Sequence, residues 1–262
     1  MGKFFTVDII PDIVDGDISE AFGDIGANDI VFDWTAVNVP KGGCMLRSIS
    51  AFVNAEDGAY GSGSLTDYEL VFARSVNGVA PPTMGATNAA QTGCFPLRHH
   101  YIGSVMLDSV ITKATVTNLA FGVGYVPGSN PSQDFNSGLP LVIDLEHVDG
   151  LTYPKGGYEK LYVMGFQMAA RNYNTNVLAD GAVDGSVDLA TTITVKTVDA
   201  TKLFSVGDTV YVMDLDTKIP GTLTGVTATT LTFSEVNSSV DIADGDELIN
   251  ANPIRIKLGF EK

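Results

Sequence analysis

Short runs of β-branched and aromatic residues recur along the whole chain, and they constrain the fold more than any other feature. Gly, Pro, Asn or Asp bounds each run, as is typical of β-strands. Residues 31–37, 68–74, 114–117 and 161–166 are examples. Amphipathic helical periodicity is almost absent. Many short strands joined by Gly- and Pro-rich loops predict an all-β protein with a jelly-roll or β-sandwich body.

The chain changes composition near residue 180. From 193 to 249, Thr, Val and Asp dominate and turn signals are closely spaced. Short alternating strands between such turns predict a small β-barrel. The sequence therefore predicts two domains. One is a body formed by residues 1–178 plus 252–262, and the other is a small acidic β-barrel domain inserted at 179–251.

The C-terminal segment is the reason for predicting an insertion. Its apolar residues alternate with others and share one face of a strand: Ile254, Ile256, Leu258 and Phe260. A lone terminal strand needs a sheet to join, so we expect it to return to the body. The run at 158–170 is the antiparallel partner that we predict for it.

Charge excludes one class of partner. The chain has 31 acidic and 15 basic residues and a net charge of -16, and residues 179–251 alone carry -9. Nucleic-acid binding depends on Lys and Arg clusters that displace counterions from phosphate. The basic residues here are scattered singly, so we expect no nucleic-acid partner.

Hydropathy predicts no membrane partner, because the longest apolar runs, such as 139–145 and 161–166, are far shorter than the ~20 residues of a spanning helix. The N-terminal residues lack a secretory signal pattern. We expect synthesis in the cytoplasm, without processing. Cys44 and Cys94 are the only cysteines, and buried free thiols are favoured over a disulfide in that compartment.

Catalytic motifs are missing. The chain has no phosphate-binding loop, dinucleotide fingerprint, zincin motif or nucleophile elbow. Of the histidines, His99 and His100 would face opposite sides of an extended segment, and His147 has no ligand spacing beside it. We therefore predict no catalytic, cofactor-binding or metal-binding residues, no cofactor and no enzymatic activity.

One acidic pattern occurs twice. Residues 12–17 and 241–246 both read Asp-Ile-x-Asp-Gly-Asp. Clustered carboxylates with Glu20 or Glu247 nearby are one way to bind Ca²⁺. Asp-Gly pairs also form turns for conformational reasons alone. Since neither copy has the EF-hand spacing, we favour turns.

Two stretches carry a resemblance to a known class of protein. Residues 198–212 and 221–233 resemble the small Thr/Val/Asp-rich β modules on head and tail proteins of tailed bacteriophages. The chain is thus similar to a virion structural protein, most like a capsid cement or decoration protein. The resemblance implies a non-enzymatic protein of the virion that binds and stabilises the capsid lattice. Its implied partners are the major capsid protein or other virion proteins, and it would form a homo-oligomer, for which a trimer is one arrangement.

Other functions remain open from the sequence. Another head or tail structural component fits the same composition. A carbohydrate-binding adhesion module would stack exposed aromatic rings on sugars, but Trp34 lies in a strongly apolar run and is expected to pack in a core. A hydrolase with an unusual site is the weakest reading.

Overall fold

The computed structural model describes most of the chain. The described ranges are 3–14, 24–40, 44–54, 67–76, 79–91, 95–107, 114–116, 119–123, 139–141, 158–173 and 175–262. Strands dominate them, and helix is confined there to three short 3-10 segments at Phe95–His99, Ala200–Lys202 and Met213–Leu215. The all-β prediction is confirmed. No helix in these ranges is long and apolar enough to cross a bilayer.

Strands β1–β11 and β19 form what we call the body. The first eleven are β1 Phe4–Ile9, β2 Asp24–Ile25, β3 Ile30–Pro40, β4 Cys44–Asn54, β5 Tyr68–Arg74, β6 Tyr101–Leu107, β7 Ala114–Val116, β8 Leu119–Val123, β9 Leu139–Leu141, β10 Tyr158–Gln167 and β11 Arg171–Asn172. The last is β19, Ile254–Glu261.

Strands β12–β18 form what we call the second module. They are β12 Leu178–Ala179, β13 Ala190–Lys196, β14 Val210–Val212, β15 Thr217–Lys218, β16 Leu223–Thr227, β17 Thr230–Asn237 and β18 Leu248–Asn250.

Two antiparallel sheets make up most of the body. The first has the order β1-β19-β4-β8-β7, with β9 also paired to β4, and the second has the order β3-β10-β5-β6. A two-stranded ladder joins β2 and β11. Ile49 and Leu258 of the first sheet and Phe72 and Val163 of the second belong to one buried cluster. The two sheets therefore share a hydrophobic core.

The central strands of the second sheet, β5 and β10, are buried on both faces. The outer face of this sheet carries Val71, Met164 and Phe166, which cluster with Met84 and Leu97 from the chain between β5 and β6. This double burial explains the unbroken apolar run of β10, because a strand covered on both faces does not alternate.

The second module has a core of its own. Its strands form one sheet in the order β12-β13-β17-β16 and another in the order β15-β14-β18. Leu203, Leu231 and Phe233 are among the buried residues of that core. The predicted β-barrel is wrong, since no sheet in the described ranges closes into a barrel. One reason is that β14 ends at the 3-10 segment Met213–Leu215 and left-handed Asp216, which keeps that sheet short.

The partner predicted for the C-terminal strand is also wrong. β19 lies between β1 and β4, with Leu258 opposite both Val7 and Ile49. The run that was expected to pair with it, β10, has both edges occupied by β3 and β5. The alternation in β19 predicts which residues are buried, but the backbone hydrogen bonds of a strand carry no information about its neighbour.

Candidate functional site

A cleft of about 220 Å³ opens on the outer face of the first sheet. It is lined by Asp8, Ile9, Ile10, Phe52, Arg255, Ile256 and Lys257. These residues come from β1, β4, β19 and the residue after β1, which lie side by side. Since successive side chains of a strand alternate between faces, burial of Ile254, Ile256 and Leu258 turns Arg255 and Lys257 outward.

Arg255 is anchored at one end of the cleft. Its Nη2 atom donates to Asp208 Oδ1, and the Asp208 side chain is only 2% exposed. The other carboxylate oxygen, Oδ2, accepts from Asn250 Nδ2 at 2.8 Å and from the Ser205 amide at 2.7 Å. A buried carboxylate needs such partners. The guanidinium is thereby fixed in place while 39% of the Arg255 side chain stays exposed.

Lys257 is held much more loosely. Its Nζ atom lies 3.4 Å from Asp8 Oδ1, and both side chains are more than half exposed. Exposed pairs of this kind add little stability, about 0–1 kcal/mol. The ammonium group can therefore exchange Asp8 for a carboxylate of a binding partner at little energetic cost.

Apolar surface lies beside these charges. Phe52 is opposite Arg255 in the β4–β19 ladder and is half-buried. Ile10 is 44% exposed, and Phe4 at the other end of β1 is 74% exposed. The two cations are each paired with a carboxylate of the chain, Asp208 or Asp8, so this surface is locally near neutral in a strongly acidic chain. Together with the exposed apolar groups, it is suited to binding a partner that offers carboxylates and apolar side chains.

This cleft was missed in the sequence, although a signal for it was present. The apolar residues of β19 were assigned to a core face, and the residues between them necessarily form the other face. Arg255 and Lys257 occupy that face two residues apart. In a chain with few basic residues, two basic residues at this spacing on a strand indicated that the exposed face of β19 carries a pair of cations.

His99 and His100 do not line the cleft, and they differ from each other. His100 is buried and its Nδ1 atom is 2.9 Å from the Arg74 carbonyl oxygen. His99 is exposed, and Arg98 Nε donates to its Nε2 atom at 3.0 Å. The segment is a 3-10 turn rather than an extended strand. His147 lies outside the described residues.

The carboxylates of the second acidic repeat hold turns together. Asp241 Oδ1 accepts from the Gly185 amide at 3.0 Å, and Asp246 Oδ2 accepts from the Ala243 amide at 2.7 Å. Glu247 Oε1 accepts from two amides, those of Thr175 and Asn176, both at 3.0 Å. Each of these groups thus binds a different part of the backbone.

Asp244 has a cationic partner as well. Its Oδ1 atom accepts from Lys196 Nζ and from the Gly181 amide. The hydrogen bond from Lys196, then that from Gly181, lowers the pKa of Asp244 below its usual value. Among the residues that the structure describes, no three His, Cys, Asp or Glu side chains are grouped as metal ligands would be.

The first acidic repeat is described only in part. Asp12 Oδ1 accepts from the Val14 amide at 2.9 Å, and Asp12 Oδ2 accepts from Lys218 Nζ at 2.6 Å. The latter bond links the body to the second module. Asp15, Asp17 and Glu20 lie outside the described residues.

Two further residues singled out in the sequence have packing roles. Cys44 is a buried free thiol, as expected, and burial raises its pKa. Cys94 lies outside the described ranges. The Trp34 ring packs against the cluster on the outer face of the second sheet, and its Nε1 atom donates to the Pro82 carbonyl oxygen at 2.9 Å. The indole therefore packs and hydrogen-bonds within the fold.

Comparison with known proteins gives no further information about the cleft. No family description, characterised protein or solved structure matches the chain.

Proposed function

We propose that this protein is a non-enzymatic structural protein of a tailed-bacteriophage virion, which binds and stabilises the capsid lattice as a cement or decoration protein. In this proposal the body is a jelly roll or β-sandwich formed by residues 1–178 plus 252–262. Residues 179–251 are an inserted acidic domain. The partners are the major capsid protein or other virion proteins, and the protein acts on the virion as a homo-oligomer.

The observation that carries the proposal is the cleft on the first sheet. Arg255 and Lys257 project there beside exposed Ile10, in a chain whose net charge is -16. A capsid surface rich in carboxylates would be repelled by most of this protein and least at this cleft, where Lys257 can exchange Asp8 for a capsid carboxylate and Arg255 stays partly exposed. The body is therefore the adhesive part, and the second module, at -9, is better placed toward solvent.

The bonding of the polar groups supports a binding role over a catalytic one. His100 is buried against the Arg74 carbonyl, and Asp241, Asp244 and Asp246 each accept backbone amides. A catalytic acid or base must instead reach a substrate proton from a site open to that substrate. These groups are used to hold turns and strands.

Immunogold electron microscopy of phage particles, with antibodies raised against the purified chain, tests the proposal directly. Gold on the heads is the expected result. Particles made without the gene should release their DNA at a lower temperature, and added purified chain should restore the heat resistance. Labelling confined to tails would favour another virion component. Binding to a glycan array without binding to heads would favour an adhesion module.

A pair of charge-reversal variants tests the cleft. Lys257→Glu should weaken binding to heads about fivefold, since a rim charge contributes on the order of 1 kcal/mol. Lys202→Glu makes the same change in net charge at an exposed site of the second module and should bind as the wild type does. The reverse pattern would assign adhesion to the second module.

A further inference from the structure

Among the strands that the structure describes, β6 is the last of the second sheet and has one paired edge. It pairs with β5 from Tyr68 opposite Leu107 to Ala73 opposite Tyr101. In the part of the chain that the structure describes, no other strand or hydrogen bond reaches Tyr101–Leu107. Alternate residues of an antiparallel edge strand direct their N–H and C=O groups away from the sheet. With respect to the described residues, β6 therefore presents a row of hydrogen-bonding groups along its outer edge.

Three other edges carry a backbone bond or a charge that hinders pairing at that position. The outer edge of β16 is bonded by Gly207 N to Leu223 O at 2.7 Å and by Leu223 N to Asp208 O at 2.8 Å. The first residue of β3, Ile30, exchanges backbone bonds with Asn88 and Ala89. Exposed Asp8 lies on the edge strand β1.

β6 has none of these protections. Its sequence, Tyr-Ile-Gly-Ser-Val-Met-Leu, contains no charged residue and no proline over seven residues. Charges and prolines are the usual means of keeping an edge strand from pairing with another chain. Tyr101 is 48% exposed and Met106 is 41% exposed, so the strand also offers apolar surface.

The neutrality of β6 is compatible with a second copy as the occupant. Two chains of -16 repel each other, and a neutral strand lets them approach without opposing carboxylates within the ladder. The sequence is also compatible with antiparallel pairing to itself. When the pairing is centred on Ser104, Tyr101 of one copy lies opposite Leu107 of the other, and Ile102 lies opposite Met106.

We propose that β6 pairs antiparallel with β6 of a second copy about a two-fold axis near Ser104, which joins the two second sheets into one continuous sheet. This pairing would explain how the proposed homo-oligomer forms. It does not depend on capsid binding, because it is measured on the purified chain alone.

Sedimentation velocity of the full chain tests the pairing. The wild type should sediment with the mass of two chains. Ser104→Lys sets like charges opposite each other at the axis, which destabilises a cross-strand pair, and should sediment as one chain that keeps the far-UV circular dichroism spectrum of the wild type. Met106→Lys, at an exposed site of the same strand, should do the same. Thr6→Lys, exposed on edge strand β1, is the matched control and should remain dimeric.

The register has its own test. Oxidation of Ser104→Cys should give a disulfide-linked dimer on a non-reducing gel, because directly opposed residues of an antiparallel pair are within disulfide reach. Wild type and Thr6→Cys should stay uncrosslinked under the same conditions. A wild-type monomer, a trimer, or a Ser104→Lys variant that remains dimeric would overturn the pairing.

Discussion

Tyr211 and Ile249 lie directly opposite each other on β14 and β18, and both are buried in the core of the body. Their neighbours along the chain, Val210, Val212 and Leu248, are buried in the core of the second module. Because successive side chains of a strand point to opposite faces, the sheet β15-β14-β18 has one face in each core. The two cores therefore share a wall.

The shared wall predicts that the body and the second module unfold together. The sole tryptophan, Trp34, lies in the body and its fluorescence follows that part of the chain, whereas far-UV circular dichroism follows both parts. In a urea titration the two signals should give coincident transitions, which is the test of a two-state process. A fluorescence transition displaced from the dichroism transition would show that the modules unfold independently.

Truncation of Ile249 should weaken the whole molecule. Ile249→Ala removes a fully buried side chain from the wall, and such changes lower the free energy of unfolding by about 2–5 kcal/mol. Both the fluorescence and the dichroism midpoints should shift to lower urea by the same amount. Val187→Ala, at a side chain 71% exposed in the second module, should change the free energy by no more than about 0.5 kcal/mol. A shift in only one signal would contradict the shared wall.

The central position of β19 makes a second prediction. Leu258 is fully buried and lies between Val7 and Ile49, so Leu258→Ala should lower the free energy of unfolding by about 2–5 kcal/mol. Lys257→Ala, one residue away on the exposed face, should cost about 1 kcal/mol or less. Urea denaturation of the two variants gives the comparison. Equal losses would mean that the faces of β19 are not as described.

β19 also shows which features of the fold can be predicted from the sequence and which cannot. Alternation correctly predicted that Ile254, Ile256, Leu258 and Phe260 are buried, and each is at most 2% exposed. It failed to predict the neighbours β1 and β4, because backbone hydrogen bonds are the same for any pair of strands. Which strands meet is decided by packing of the whole core, and this is not written in the local pattern.

The cleft likewise has one feature that the sequence predicts and one that it does not. The outward positions of Arg255 and Lys257 follow from the strand alone. The carboxylate that fixes Arg255 comes from Asp208, 47 residues earlier in the chain, and its approach depends on how the second module sits against β19. Nothing local to Asp208 indicates that it is buried, since Gly-Asp pairs are usually exposed turns.

Gly165 supplies a third prediction. A Cβ atom there would overlap Cε1 of the Phe32 ring, so Gly165→Ala must displace a fully buried side chain and should cost about 1–3 kcal/mol. Adding Phe32→Leu should recover part of the loss, seen as a coupling energy in a double-mutant cycle. Gly225→Ala is the matched control, because its Cβ would meet Thr232 at an ordinary 3.5 Å. Equal costs at the two glycines would argue against close packing at Phe32.

Acid should weaken the second module through three of its carboxylates. Hydrogen bonds from Ser186, Thr201 and Lys196 lower the pKa values of Asp184, Asp199 and Asp244 respectively. A carboxyl whose pKa is lower in the folded chain than in the unfolded chain contributes stability above the unfolded value, 3.8, and loses it as the pH falls through the folded value.

The melting temperature should therefore change little between about pH 7 and pH 5 on account of these groups, and fall below about pH 4. The triple variant Asp184→Asn, Asp199→Asn and Asp244→Asn has no proton to gain at these sites. It should melt below the wild type at neutral pH, and the gap should narrow steadily as the pH is lowered toward 2. If the difference in melting temperature between the two proteins stayed constant over that range, protonation of these three carboxylates would not be a cause of the loss of stability in acid.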